Sequence, residues 1–165
     1  MSARYDPILL SDGSGYQFTT SDGDVYIAYF TEFTLIDSNQ NEILATSFGF
    51  ANKGGSKTRR HDVKIKNTIV YLIVEFFENQ DDAAILYICI NNDGRERNRH
   101  ITFGRWFNEM NDDFERYSSL GEHAKAGFYS SIIFKNTNPR RHKLIEAFYF
   151  TIAYYWGLGE NEQPL

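Results

Sequence analysis

Basic residues crowd the expected starts of three helices in this sequence. Twelve of the 17 lysines and arginines fall into three short groups, and three of the four histidines lie among them. The groups contain Arg59-Arg60-His61, Arg99-His100 and Arg141-His142. Positive charge at a helix N-terminus opposes the helix dipole and costs about 0.3–1 kcal/mol per exposed group. The same charge beside free backbone N–H groups is what an anion site requires.

The first two groups are predicted to form one site. Their helices flank the same strand, so both should begin at one end of the sheet, beyond strand carboxyl ends, where ligands bind in open α/β sheets. The third group, with Arg140 and Arg141, follows a different strand, and its helix is expected to begin at the opposite end. A solvated basic surface, neutralised by acidic neighbours such as Glu96, is the alternative interpretation. The predicted ligand-binding residues are Arg59, Arg60, His61, Arg95, Arg97, Arg99 and His100.

Other kinds of site find little support in the sequence. It has no His-x-x-x-His or Cys-x-x-Cys spacing, so we predict no metal site. Walker, Gly-x-Ser-x-Gly and dinucleotide-binding motifs are missing as well. The net charge of −5 argues against a broad nucleic-acid surface. The single cysteine, Cys89, and a start without signal-peptide layout predict a cytoplasmic protein, and no apolar run is long enough to span a membrane.

The elements that must position these residues follow from hydrophobic spacing. The chain is predicted to be one α+β domain over 15–157, with an N-terminal extension over 1–14 and a loose tail over 158–165. Helices are expected at about 63–79 and 95–110, and a third from Asn138-Pro139. The predicted order is β-β-β-α-β-α-β-β-α, and the sheet is mixed but mostly antiparallel. Its central strand, Ala83 to Ile90, is apolar enough to be covered on both faces.

Three further features have structural and functional interpretations. Glu75 and Glu146 lie in or beside apolar helix faces; a base with a perturbed pKa is one interpretation, and a stripe edge that reaches water is the favoured one. Cys89 is expected to be a buried structural cysteine. Aromatic residues surround the last helix from Phe148 to Trp156, so some must be exposed or covered by a partner protein or a second copy.

Several segments resemble a family of small bacterial proteins of unknown function. They are Ala84 to Cys89, Asn92 to Arg95, Trp106 to Asn108, Tyr129 to Lys135, Asn138-Pro139 and Ile145 to Tyr149. The resemblance extends from Gly15 to Phe150. It implies a cytoplasmic bacterial protein and suggests no activity.

The element order also resembles that of the GNAT acyltransferase superfamily. There a meander, a phosphate-binding loop, a helix, a strand, a second helix and a final strand pair form the acyl-CoA site. The resemblance implies acyl-CoA as cofactor, a phosphate loop at Lys53-Gly54-Gly55-Ser56, and Glu42 or Glu32 as base. Members of the superfamily often have a tyrosine late in the second helix that acts as the general acid. The corresponding residue here is Phe107, which cannot donate a proton.

Three functions therefore stay open. The first is binding of an anionic ligand: a nucleotide, a CoA-like cofactor or a nucleic-acid end. The second is GNAT-like acyl transfer, and the third is a non-enzymatic protein-interaction module.

Overall fold

Seven strands form one mixed sheet in the computed structural model, which describes residues 3–54, 62–90, 96–110, 112–119, 121 and 128–156. The sheet order is β1-β2-β3-β4-β5-β7-β6. Neighbouring strands are antiparallel except β4 and β5, which run parallel. The strands are β1 (Ile8–Leu9), β2 (Gly15–Thr19), β3 (Val25–Ile36), β4 (Glu42–Asn52), β5 (Ala84–Ile90), β6 (Phe114–Ser118) and β7 (Phe128–Lys135).

Turn chemistry sets the register of the predicted meander β2-β3-β4. Gly23 has a φ of +85° in the turn between β2 and β3, a conformation that glycine adopts without steric cost. The turn between β3 and β4 is held by the carboxylate of Asp37, which accepts hydrogen bonds from the backbone N–H groups of Asn39 (2.9 Å) and Asn41 (2.8 Å). The predicted meander is confirmed.

Within the described part of the chain, three helices complete the predicted order: α1 (Val63–Phe77), α2 (Glu96–Asn108) and α3 (Arg141–Trp156). Before α3, the side-chain oxygen of Asn138 accepts from the backbone N–H of Arg140 at 2.8 Å, as predicted for an Asn-Pro start. Within the predicted N-terminal extension, the structure adds the short edge strand β1, which pairs with β2.

The helices cover the two faces of the sheet unequally. Helices α1 and α2 pack on one face, which we call the front, around Ile69, Ile85 and Phe103. Helix α3 packs on the other face, the back, around Leu86, Ile132 and Phe148. Strand β5 contributes side chains to both cores, so its prediction as a strand covered on both faces is confirmed.

The seam between β4 and β5 is paired only in part. Register pairs join Thr46–Phe48 to Ile85–Tyr87, and beyond them the two strands are no longer paired with each other, although β4 stays paired with β3 and β5 with β7. Because β4 and β5 are parallel, α1 and α2 both follow strands that end at this edge, which we call the upper edge.

Helix α2 crosses the strands near the upper edge instead of following one of them. Successive side chains contact β7, β5 and β4: ring centroids lie 5.1 Å apart for His100 and Tyr129, 4.0 Å for Phe103 and Tyr87, and 5.5 Å for Trp106 and Phe50. The front of the seam is therefore packed with aromatic rings. In the described part of the chain, no helix is long and apolar enough to cross a membrane.

Candidate anion-binding site beneath helix α2

The predicted ligand-binding residues divide between described and undescribed parts of the chain. Arg59, Arg60, His61 and Arg95 lie outside the described residues. Arg97 is exposed in the first turn of α2, whereas Arg99 and His100 are half-buried. The predicted meeting of the first two groups therefore stays a prediction, and the geometry that follows concerns α2.

The N-terminus of α1 is occupied by the chain's own carboxylate. Asp62 accepts from the backbone N–H of Lys64 through Oδ1 at 2.9 Å. Its Oδ2 accepts from the hydroxyl of Tyr5 at 2.5 Å. An N-cap of this kind supplies the negative charge that a helix N-terminus favours. Helix α1 therefore offers less to an external anion than its basic flanks suggest.

The third basic group is engaged in structural contacts at the start of α3. Arg140 donates to the backbone carbonyl oxygens of Asp82 (3.1 Å) and Leu44 (3.3 Å). Arg141 donates to the carboxylate of Glu115 at 2.7 Å, which raises the pKa of its guanidinium, and to the hydroxyl of Tyr117 at 2.8 Å. These arginines join the chain that precedes β5, the strands β4 and β6, and α3. As predicted, this group lies at the other end of the sheet.

Polar side chains meet on the front of the sheet beneath α2. Strand alternation directs every second residue of β6 and β7 toward this face, and His100 faces them from the helix. The hydroxyl oxygens of Ser118 and Ser131 lie 3.1 Å apart, and the Arg116 Nε donates to Ser131 Oγ at 3.1 Å. The polar cluster, as it is called below, consists of His100, Arg116, Ser118, Tyr129 and Ser131.

Arg116 is a half-buried cation with one hydrogen-bond partner among the described residues. Burial lowers the pKa of its guanidinium, although the group stays charged at neutral pH. Among the described residues, Ser131 is the one hydrogen-bond acceptor of Arg116, and no carboxylate forms an ion pair with it. A desolvated charge without a counter-ion is costly, and an anion that approached it would relieve the cost.

His100 carries a second unsatisfied group in the same cluster. Its Nδ1 is buried and makes no hydrogen bond with the described part of the chain. Burial lowers the pKa of the imidazole, and the neighbouring charge of Arg116 lowers it further. At neutral pH the ring is therefore neutral, and an anion bound between the two groups would favour its protonation.

Gly104 makes room for the guanidinium of Arg116. It lies four residues after His100, so both positions share one face of α2. A Cβ atom built at Gly104 would lie 2.7 Å from Nη1 of Arg116. Glycine therefore allows the helix backbone to approach the charged group closely, at a cost in helix propensity of about 1 kcal/mol relative to alanine.

Residues of β5 border the polar cluster without forming an evident catalytic group. Burial raises the pKa of the Tyr87 hydroxyl far above its ordinary value, so it stays protonated. Cys89 is buried on the same face, as predicted. Glu75 and Glu146 are exposed, and Glu146 accepts from Ser38 Oγ at 2.9 Å, which agrees with their interpretation as stripe edges.

Sequence reasoning missed Arg116, the most informative cation beneath α2. It lies in a strand whose residues are all half-buried, outside the three basic groups. The available signal was its strand position: alternation with Glu115 and Tyr117 directs Arg116 toward the face opposite to theirs. That face is covered by α2, and among the described residues the helix supplies no acidic partner.

Comparisons with known proteins identify a family without a known activity. A family model described as a family of unknown function (DUF6169) matches residues 61–149, from the start of α1 into α3. The predicted resemblance to a family of unknown function is thereby confirmed. No curated protein and no solved structure matches the chain significantly.

Proposed function

Because the chain belongs to DUF6169, whose function is unknown, we propose a function from the geometry: it binds a small anionic ligand beneath α2. The observation that carries this proposal is the half-buried guanidinium of Arg116, which lacks a described carboxylate partner and lies close to His100. A guanidinium matches phosphate and carboxylate groups through paired N–H donors. The ligand is therefore a molecule with such a group, a nucleotide or CoA-like cofactor being the first candidates.

The first basic turn of α2 supports the same function. Arg97 and Arg99 lie where the helix dipole already provides partial positive charge. Together with Arg116 they favour an anion over a neutral ligand. Nothing in this arrangement requires catalysis, so the proposal is a binding function in a cytoplasmic protein.

Calorimetry at constant ionic strength tests the proposal. Inorganic phosphate, pyrophosphate, acetate and CoA are titrated into the wild-type protein and into Arg116→Met. Loss of one charged hydrogen-bond partner is expected to weaken binding by about tenfold or more. The matched control is Arg105→Met, which removes the same charge from an exposed position of α2.

Two results would overturn the proposal. One is the absence of binding by any of the four anions to the wild-type protein. The other is equal weakening by both substitutions, because that indicates attraction by net charge alone.

GNAT-like acyl transfer is a second candidate, favoured by the parallel pair β4 and β5. The element order agrees with that superfamily, and the register pairs between the two strands end before the edge where ligands of open sheets bind. Asp62 at the N-terminus of α1 and Phe107 in α2 disfavour the usual chemistry. Titration with acetyl-CoA distinguishes the candidates, because acyl transfer requires acetyl-CoA binding. If phosphate binds and acetyl-CoA does not, acyl transfer is excluded and only the first proposal stands.

A protein-interaction module is a third candidate, favoured by the end of α3. Tyr154 and Tyr155 are 64% and 59% exposed although they are large aromatic residues. Exposed aromatic patches are typical of interfaces, including homodimers. Light scattering of the wild-type protein and of Tyr154→Ser tests self-association, and an unchanged monomer mass in both removes the dimer.

A further inference from the structure

A depression on the front of the molecule, away from the polar cluster, combines aromatic rings with carboxylates. It lies between the N-terminal segment, β2 and α1, and its volume is about 260 Å³. Its walls include Asp6 and Pro7 of the segment, Tyr16 of β2, and Tyr71 and Glu75 of α1. Aromatic faces and carboxylates together are the chemistry that recognises organic cations.

A cation of the chain itself already lies on one wall. The guanidinium carbon of Arg4 is 3.8 Å from the ring centroid of Tyr71, within the range of a cation–π contact. The Nη1 atom of Arg4 also lies 3.6 Å from Oδ1 of Asp6. The arrangement demonstrates that this aromatic face accepts a guanidinium.

The charges around the depression are not balanced by Arg4. Two carboxylates, Asp6 and Glu75, face one guanidinium, which leaves a net charge of −1. Asp6 has Arg4 as its partner, whereas Glu75 forms no ion pair with a described residue. The free volume beside Glu75 therefore favours one additional positive group.

We propose that this depression binds a small organic monocation, an alkylguanidinium or alkylammonium group. The aliphatic part of the ligand packs against Pro7 and Tyr16, and its charge pairs with Glu75. Arg4 competes for the ring of Tyr71, so it weakens binding of the external cation. This inference does not depend on the proposed anion site.

Titration followed by ¹H–¹⁵N NMR tests the site with two probes of nearly equal shape. n-Butylguanidinium carries the charge, and n-butylurea is its neutral counterpart. We expect saturable shifts of the Tyr71 and Glu75 amide signals with the first probe, and none with the second. Glu75→Gln should weaken binding about threefold, the size of one exposed ion pair. Arg4→Ala should strengthen binding by a similar factor, because it frees the ring and removes a like charge.

Glu78→Gln is the matched control, since it removes an exposed carboxylate just after α1 that is not part of the depression. It should leave the affinity for n-butylguanidinium unchanged. The proposal is overturned by equal shifts with both probes, by equal effects of Glu75→Gln and Glu78→Gln, or by the absence of saturable shifts in both the wild-type protein and Arg4→Ala.

Discussion

The arginines at the start of α3 and the cation beneath α2 show opposite kinds of environment. At α3, Arg140 and Arg141 donate to two backbone carbonyl groups, a carboxylate and a phenol hydroxyl. Beneath α2, Arg116 is half-buried and donates to one serine among the described residues. Equal charges therefore have different consequences, because partners decide whether a cation stabilises the fold or remains available to a ligand.

The comparison also separates the two helices that follow the parallel strands. At α1, Asp62 caps the helix by accepting from the backbone N–H of Lys64, and the hydroxyl of Tyr5 donates to Asp62. At α2 the first turn contains Arg97 and Arg99, and the next residue, His100, has a buried nitrogen without a described partner. Basic residues near a helix start are therefore insufficient evidence of a site, and unsatisfied groups are the better criterion.

The largest expected effect is on stability, and it contrasts Arg140 with Arg116. Arg140→Met removes donors to two backbone carbonyl groups, so the free energy of unfolding should fall by about 2 kcal/mol. Arg116→Met removes a half-buried charge whose described partner is one serine, so the free energy should change by less than about 1 kcal/mol in the absence of ligand. Urea denaturation measures both.

Arg105→Met serves as the reference for an exposed arginine and should change the free energy by less than about 0.5 kcal/mol. If Arg116→Met destabilised the protein as much as Arg140→Met, the guanidinium of Arg116 would be structural. The contrast between the two environments would then be wrong.

Much of the fold could be predicted because its signals are local. Asp62 and Asn138 mark helix starts, and the turn around Gly23 marks a hairpin; each acts within a few residues. Strand β1 was missed because Ile8–Leu9 is too short for periodicity, and its pairing with β2 depends on the rest of the sheet.

The candidate site was harder to predict because its decisive features are not local. The acceptors of Arg140 lie 58 and 96 residues away, and the packing partner of Arg116 is a glycine on a different element. Residue type and clustering identify cations, but they do not show which cations are already paired. His100 was predicted from its cluster, whereas the half-buried Arg116 could be recognised only from the packed structure.

A smaller effect should follow from Gly104→Ala, which tests whether the helix must approach Arg116 closely. The added Cβ would meet Nη1 at 2.7 Å, so the guanidinium must move. We expect anion affinity to fall by about three- to tenfold, while the gain of about 1 kcal/mol in helix propensity limits any loss of stability. Calorimetry with phosphate and urea denaturation measure the two quantities.

Arg105→Ala is a suitable control for Gly104→Ala, since it places alanine at an exposed position on the same helix. Unchanged phosphate affinity in Gly104→Ala would mean that the ligand does not use the observed position of the guanidinium. A matching loss of affinity and stability would point to a damaged helix instead.

The smallest effect is the dependence of stability on pH, which tests whether His100 and Arg116 share one environment. Burial and Arg116 lower the pKa of His100 in the folded protein, so the unfolded chain binds the proton more readily. The contribution of neutral His100 to the free energy of unfolding is fully present above the histidine pKa of the unfolded chain, about 6.5. It is lost as the pH falls through the pKa of His100 in the folded protein. Urea denaturation between pH 7.5 and pH 5 should show this decline.

Substitutions and ligand then assign the decline to the polar cluster. His100→Asn should reduce it, and Arg116→Met should reduce it partly because the repelling charge is gone. Phosphate should also reduce it, since a bound anion favours the protonated imidazole. His142→Asn, at an exposed position of α3, should leave it unchanged. If phosphate binds to the protein but the decline is the same with and without it, the anion lies away from His100, and the site must then be sought among the other cations of α2.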